Sequence, residues 1–193
     1  MNTQSRSTST DWLIGGTLLL MLVLTRSGHF GSSLKLPDAS WAMFWLGGAL
    51  ALRWWWPAIM LVASAAIDYF VISNGVSSYC VTPAYPFIIP AYFSLWFAGR
   101  WIAGHLNADA QSLLRTGISI LGGVTFAFII TNVGFYLFAG YFSSMPAWTY
   151  LQAVVKYWPG YMLHTSIYAV TGLLIRYIVV SLRNSASTQS ASS

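Results

Sequence analysis

Cys80 is the only thiol of the chain, and it stands in the stretch SSYCVTPAYP (77–86), with two prolines, two tyrosines and no charge. A thiolate can act as a nucleophile or as a metal ligand, but nothing adjacent in this stretch is a base or cation that would lower the thiol pKa. Apolar surroundings would raise it. A Cys–His nucleophile pair would have to draw on His29 or His164, and a zinc site would need Cys80, His29 and His164 together. A lone thiol is also most often a small buried hydrophobe. One further chemistry needs no local base: a metal that arrives inside a cofactor deprotonates the coordinating thiol itself. A single open axial position then asks for a single protein ligand, and the rest of the pocket can be apolar and aromatic with a few polar groups at the cofactor's edge.

The other polar candidates are few. Asp68 sits in AIMLVASAAIDYFVI, where an acid costs about 2.5 to 3.5 kcal/mol at a helix centre and less near an end; such residues are functional by default, with a structural partner role as the alternative. His29 follows a glycine at a helix end, where solvation or the helix dipole would also account for it. His164 reads as a hydrogen-bonding residue between helices. Tyr79 and Tyr85 can serve as belt residues at a membrane interface.

These residues belong to a chain of 193 residues that is 56% hydrophobic and 7% charged, with a mean hydropathy of +0.62. Soluble domains carry roughly 25% charged residues, so the composition is that of an integral membrane protein. Glutamate is absent, and the acids are Asp11, Asp38, Asp68 and Asp109. The net charge of +5 comes from scattered basic residues without a groove-reading motif, which argues against a nucleic-acid binder. No G-x4-G-K-[ST], H-E-x-x-H, C-x-x-C or G-x-S-x-G occurs, so a nucleotide site of the P-loop type is not expected. One cysteine permits no internal disulfide.

Apolar runs at about 11–28, 39–56, 57–73, 86–104, 117–139 and 160–182 predict six spans, each near the roughly 17 to 25 residues that a bilayer core demands. No A-x-A-like cleavage site follows the first run, which reads as a retained helix. Pro57 and Pro86 are placed as helix starters. The expected organisation is a disordered tail over 1–10, one six-helix transmembrane domain over 11–183, and a disordered tail over 184–193.

Six spans leave both termini on one side. That side collects Arg6, Arg53, Arg100, Arg115, Arg176 and Arg183, against Arg26, Lys35 and Lys156 on the other, so the positive-inside rule places both termini in the cytoplasm. The SSYCVTPAYP loop then joins spans three and four on the outer face. Asp68 lies about five residues, roughly 7 Å, from the outer end of span three. His29, Asp68, Cys80, Tyr85 and His164 all fall in the outer third, which suggests an outward-open pocket.

At these residues the chain resembles the BtuM family of bacterial cobalamin transporters, solitary relatives of the substrate-binding (S) components of energy-coupling-factor transporters. The likeness covers the whole hydrophobic chain and centres on the cysteine before span four. It implies an S-component-like six-helix bundle in the inner membrane that takes up cobalamin (vitamin B12). Carried over onto this chain, it implies Cys80 of SYCVTPAYP as the axial ligand of cobalt, with Asp68 of AIDYF, Tyr85 of PAYP and His29 of RSGHF as pocket residues. A thiolate on cobalt could also loosen an upper cyano ligand and assist its removal. The first helix departs from the pattern of S components that dock on a shared module: it has Gly15-Gly16 where they often show Ala-x3-Ala. The energy source, and any contact with an energising module or periplasmic binding protein, therefore stay open. The alternatives are an S component for another vitamin, a membrane enzyme using a Cys/His pair, and a non-catalytic membrane partner protein.

Overall fold

Long runs of apolar residues with few charges must satisfy their backbone polar groups internally, and helices do so within one segment. The computed structural model, which describes residues 7–28, 37–75, 79 and 81–191, contains seven α-helices and no strand among them. They are α1 (Thr8–Gly28), α2 (Ser40–Ala49), α3 (Trp56–Ser73), α4 (Ile88–Ile102, entered through a 3-10 turn at Tyr85–Phe87), α5 (Ala110–Phe138), α6 (Ala147–Val155) and α7 (Trp158–Ala191).

Four of these, α1, α3, α5 and α7, are long and apolar enough to cross a membrane, where the hydropathy pattern predicts six. Of the six predicted spans, the two that fall short are α2 and α4, with 10 and 15 residues. At 1.5 Å per residue α2 is only about 15 Å long. Its apolarity has another destination: every residue of α2 is buried inside the protein.

Backbone geometry explains why α2 stops early. Ala51 takes a left-handed conformation (φ 54°). The Leu52 N–H donates to the Gly47 carbonyl at 3.1 Å and the Ala51 N–H to the Gly48 carbonyl at 2.9 Å. This is a Schellman closure, which normally has glycine at the left-handed position. An alanine there gives no stop signal in the sequence, so the run 39–56 reads as one long span. Ala51→Gly is expected to raise stability by about 0.5–1 kcal/mol, because glycine occupies that region without the Cβ clash; a thermal midpoint in detergent at or below wild type would contradict it.

The ends of α5 and of the neighbouring segments also differ from expectation. α5 starts at Ala110, seven residues before the predicted span, because Asp109 caps it: the carboxylate accepts from the Ser112 N–H at 2.9 Å and from the Ser112 hydroxyl at 2.9 Å. The pattern Asp-x-x-Ser carries that signal. α6 occupies a stretch predicted as a connection. Its separation from α7 follows from Pro159, which has no N–H to continue the α6 ladder.

The chain runs back and forth between two ends. Thr8 meets Arg53 (3.3 Å), Arg100 Nη1 donates to the Leu52 carbonyl (2.9 Å), and Arg176 Nη1 donates to the Leu106 carbonyl (3.1 Å) at one end. Arg26, Asp68 and Tyr92 meet at the other. α1, α3 and α5 therefore run towards the second end, and α2, α4 and α7 run back.

At the centre α2 crosses α4 at backbone contact. A Cβ on Gly48 would collide with the Trp96 carbonyl oxygen, and one on Gly99 with the Trp45 carbonyl oxygen. Beside this crossing the buried Trp45 indole donates to Ser119 Oγ of α5 at 3.0 Å, and that hydroxyl donates to the Ala98 carbonyl at 2.6 Å.

The triad Trp54-Trp55-Trp56 divides its labour. Trp54 is exposed, whereas Trp56 is buried and donates to Asp11 Oδ2 at 2.9 Å. Its ring occupies the place that a side chain at Gly15 would need, so Gly15 serves packing within the bundle; Gly16 has open space.

Candidate functional site

The site is organised by Arg26, in the last turn of α1. Its guanidinium donates from Nε to Asp68 Oδ1 at 2.7 Å and from Nη2 to Asp68 Oδ2 at 2.5 Å. Nη1 faces three acceptors: Asp38 Oδ2 at 3.2 Å, Ser40 Oγ at 3.1 Å and the Tyr92 hydroxyl at 2.8 Å. The pairing with Asp68 is the fork-on-carboxylate geometry that a guanidinium is shaped for. One side chain thus ties together the ends of α1, α2, α3 and α4.

Local sequence prepares each partner. Asp38 precedes α2 and accepts from the Ser40 N–H at 2.9 Å and the Ser40 hydroxyl at 2.6 Å, a turn that aspartate favours. Asp68 faces inward from α3, whose other polar neighbour on that face, Ser64, is also buried. Tyr92 is held by stacking on Phe44, with ring centroids 4.3 Å apart.

Tyr85 completes the network by donating its hydroxyl to Asp68 Oδ2 at 2.7 Å. Burial, and then the bond to Asp68, push the Tyr85 hydroxyl above the ordinary tyrosine range. The protonated, donating form is the one stabilised, so this contribution is complete at neutral pH and is lost only as the pH rises past that range.

Arg26, Asp38, Asp68, Tyr85 and Tyr92 form one wall of a cavity of about 780 Å³. The rest of the lining is largely aromatic, including Trp41, Phe128, Phe135, Phe142, Tyr150 and Tyr161. These rings brace one another: Trp41 and Tyr161 lie 4.5 Å apart, and Phe142 and Tyr150 4.8 Å apart. Asn132 adds a second polar point from α5, accepting from the Tyr150 hydroxyl at 3.3 Å. Tyr79 also lines the cavity, and it stacks on Tyr141 of the α5–α6 connection at 4.6 Å and 8°.

Of the residues singled out from the sequence, Asp68 and Tyr85 are brought together and both line this cavity. Cys80 and His29 lie outside the described residues, although Tyr79, next to Cys80, lines the cavity. His164 is exposed on α7 and does not line it. Among the described residues no three of His, Cys, Asp and Glu converge as metal ligands.

Arg26 is a buried counter-ion rather than a solvated charge of the outer side; Asp38 enters the sequence reading only as one of the four acids, and Tyr92 does not enter it. An apolar helix carrying Asp68 needs a compensating cation, and charge balance could have pointed to Arg26, the basic residue at the matching end of α1. Chemically the arrangement is a largely aromatic cavity with hydrogen-bonding and charged groups gathered on one wall. No protein-family model matches the chain, and no curated protein sequence matches it.

Proposed function

We propose that this chain takes up cobalamin across the bacterial inner membrane, binding the corrinoid in the aromatic cavity with Cys80 as the axial ligand of cobalt. The observation that carries this reading is the cavity itself. Its volume, about 780 Å³, is in the range of small-molecule and cofactor sites. It is lined by Asp68 and Tyr85, two of the residues the family resemblance names, and by Tyr79, the residue before Cys80.

In this reading the six alternating passes make an S-component-like bundle, with α2 as a short crossing enclosed by the protein and α4 as a short crossing with one exposed face. The cavity end faces outward and both termini face the cytoplasm. The charge count supports that orientation more firmly once Arg26 is removed from it, since a buried, paired guanidinium is not a loop charge. His29 remains a proposed pocket residue. Gly16, with open space beside it, is the first-helix position available to an energising module; whether such a module or a periplasmic binding protein takes part belongs to the same proposal.

Thiolate coordination also supplies a chemical step. Electron donation from sulfur weakens the bond on the opposite face of cobalt, so an upper cyanide leaves as cyanide ion with the bonding pair, and cobalt keeps its oxidation state.

The test is purification of wild-type and Cys80→Ala protein with cyanocobalamin. Wild type is expected to carry a corrinoid whose visible spectrum is shifted from that of free cyanocobalamin and to release cyanide, and to support growth of a cobalamin-dependent strain lacking other uptake. Cys80→Ala is expected to lose the shift, the release and the growth. Identical spectra and equal cyanide loss in both proteins would defeat the reading.

A further inference from the structure

Two carboxylates line the cavity, and they are not equivalent. Asp68 is spent on the protein: its oxygens accept from Arg26 Nε, from Arg26 Nη2 and from the Tyr85 hydroxyl, and its side chain is 10% exposed. Asp38 is more open, with 31% of its side chain exposed. Its Oδ1 accepts twice from Ser40, while its Oδ2 accepts a single longer contact, 3.2 Å, from Arg26 Nη1. A carboxylate offers about four lone-pair sites, and among the described residues Asp38 keeps one, on the oxygen whose present bond is the longest of the network.

Charge points the same way. One guanidinium stands against two carboxylates, so this wall is net negative, while Lys156 is a second cation elsewhere in the cavity lining. The wall therefore offers a charged acceptor to whatever enters. Ser40 and Arg26 hold Asp38 in place beforehand, so little freedom is lost when a ligand donor meets it.

We infer that Asp38, rather than Asp68, reads the ligand: its Oδ2 accepts an N–H from a primary carboxamide at the edge of the bound molecule and repels a carboxylate at the same position. Asp68 is a positioning residue that acts through Arg26 and Tyr85. The inference rests on the corrinoid reading above, since the corrin periphery carries primary carboxamides.

The discriminating measurement pairs cobalamin with its monocarboxylic acid derivatives, in which one peripheral carboxamide is hydrolysed. Wild type is expected to bind at least one of these derivatives about 10- to 100-fold more weakly than cobalamin, the scale of a hydrogen bond to a charged group. In Asp38→Asn the ratio for that derivative should fall to within about threefold, because the amide can donate to a carboxylate and no longer repels it. In Asp68→Asn the ratio should stay near the wild-type value even where overall affinity drops. The ratio compares two ligands on one protein, so a loss of folded material does not move it, and the wild-type ratio stands without any variant. A wild-type protein that binds every derivative as tightly as cobalamin overturns the inference, as does a ratio unchanged in Asp38→Asn. A wild-type protein that binds no corrinoid overturns the corrinoid reading and the inference with it.

Discussion

Replacing Arg26 by glutamine is expected to cost about 3–5 kcal/mol of stability and to abolish ligand retention, the largest effect of any single change in the cavity wall. The substitution leaves Asp68, which is 10% exposed, and Asp38 without a counter-charge in a partly dry site. It also removes the fork that holds Asp68 in place for Tyr85, and with it the anchor of the 3-10 turn that follows the Cys80 segment. Arg26→Lys should fall in between, since an ammonium keeps the charge but cannot span both Asp68 oxygens and also reach Tyr92. The double variant Arg26→Gln, Asp68→Asn should be more stable than Arg26→Gln alone, because the second change removes the uncompensated charge. Thermal midpoints of the four proteins in one detergent measure this. A midpoint for Arg26→Gln equal to wild type, or a double variant less stable than Arg26→Gln, would remove Arg26 from its central role.

How much of this could be read beforehand depended on what kind of force was at work. The long helices follow from hydropathy, a property of each segment by itself, and Pro57 was correctly placed near the start of α3. The early stop of α2 was hidden because an alanine at Ala51 adopts the conformation that glycine usually signals. The length of α2 was hidden for a related reason: a run that is apolar all round looks the same whether it faces lipid or is enclosed by protein. Asp68 draws attention locally because an acid in an apolar helix stands out, whereas Tyr85 enters as a pocket residue through the family resemblance. Arg26 and Asp38 were missed because their roles exist only across 42 and 12 residues of chain, where a residue's partner cannot be read from its neighbours. The positive-inside count treated Arg26 as solvated, and that assumption fails for any basic residue that finds a buried acid.

Gly48→Ala is expected to cost about 1–3 kcal/mol, although it only adds a methyl group, which would normally favour a helix. The added Cβ falls on the Trp96 carbonyl oxygen and the Arg100 backbone nitrogen. Backbone cannot rotate away as a side-chain tip can, so α2 and α4 must separate. Gly99→Ala meets the reciprocal obstacle in the Trp45 carbonyl oxygen and the Ala49 nitrogen, and should cost a similar amount. The two penalties should not add: one widening of the crossing accommodates both methyl groups, so the double variant should lie well short of the sum. Gly16→Ala provides the contrast, because open space surrounds it and the change should be neutral or slightly stabilising. Separation of α2 from α4 also reaches the site. Ser40 rides on α2 and Tyr92 on α4, and both bond Arg26 Nη1, at 3.1 and 2.8 Å. Gly48→Ala should therefore weaken ligand binding about tenfold despite lying outside the cavity lining, on the scale of one lost hydrogen bond to a charged group. Thermal midpoints and ligand affinities for the four proteins decide the matter. Additive losses, or a Gly48→Ala protein as stable as Gly16→Ala, would show that the two backbones are not in contact at this crossing.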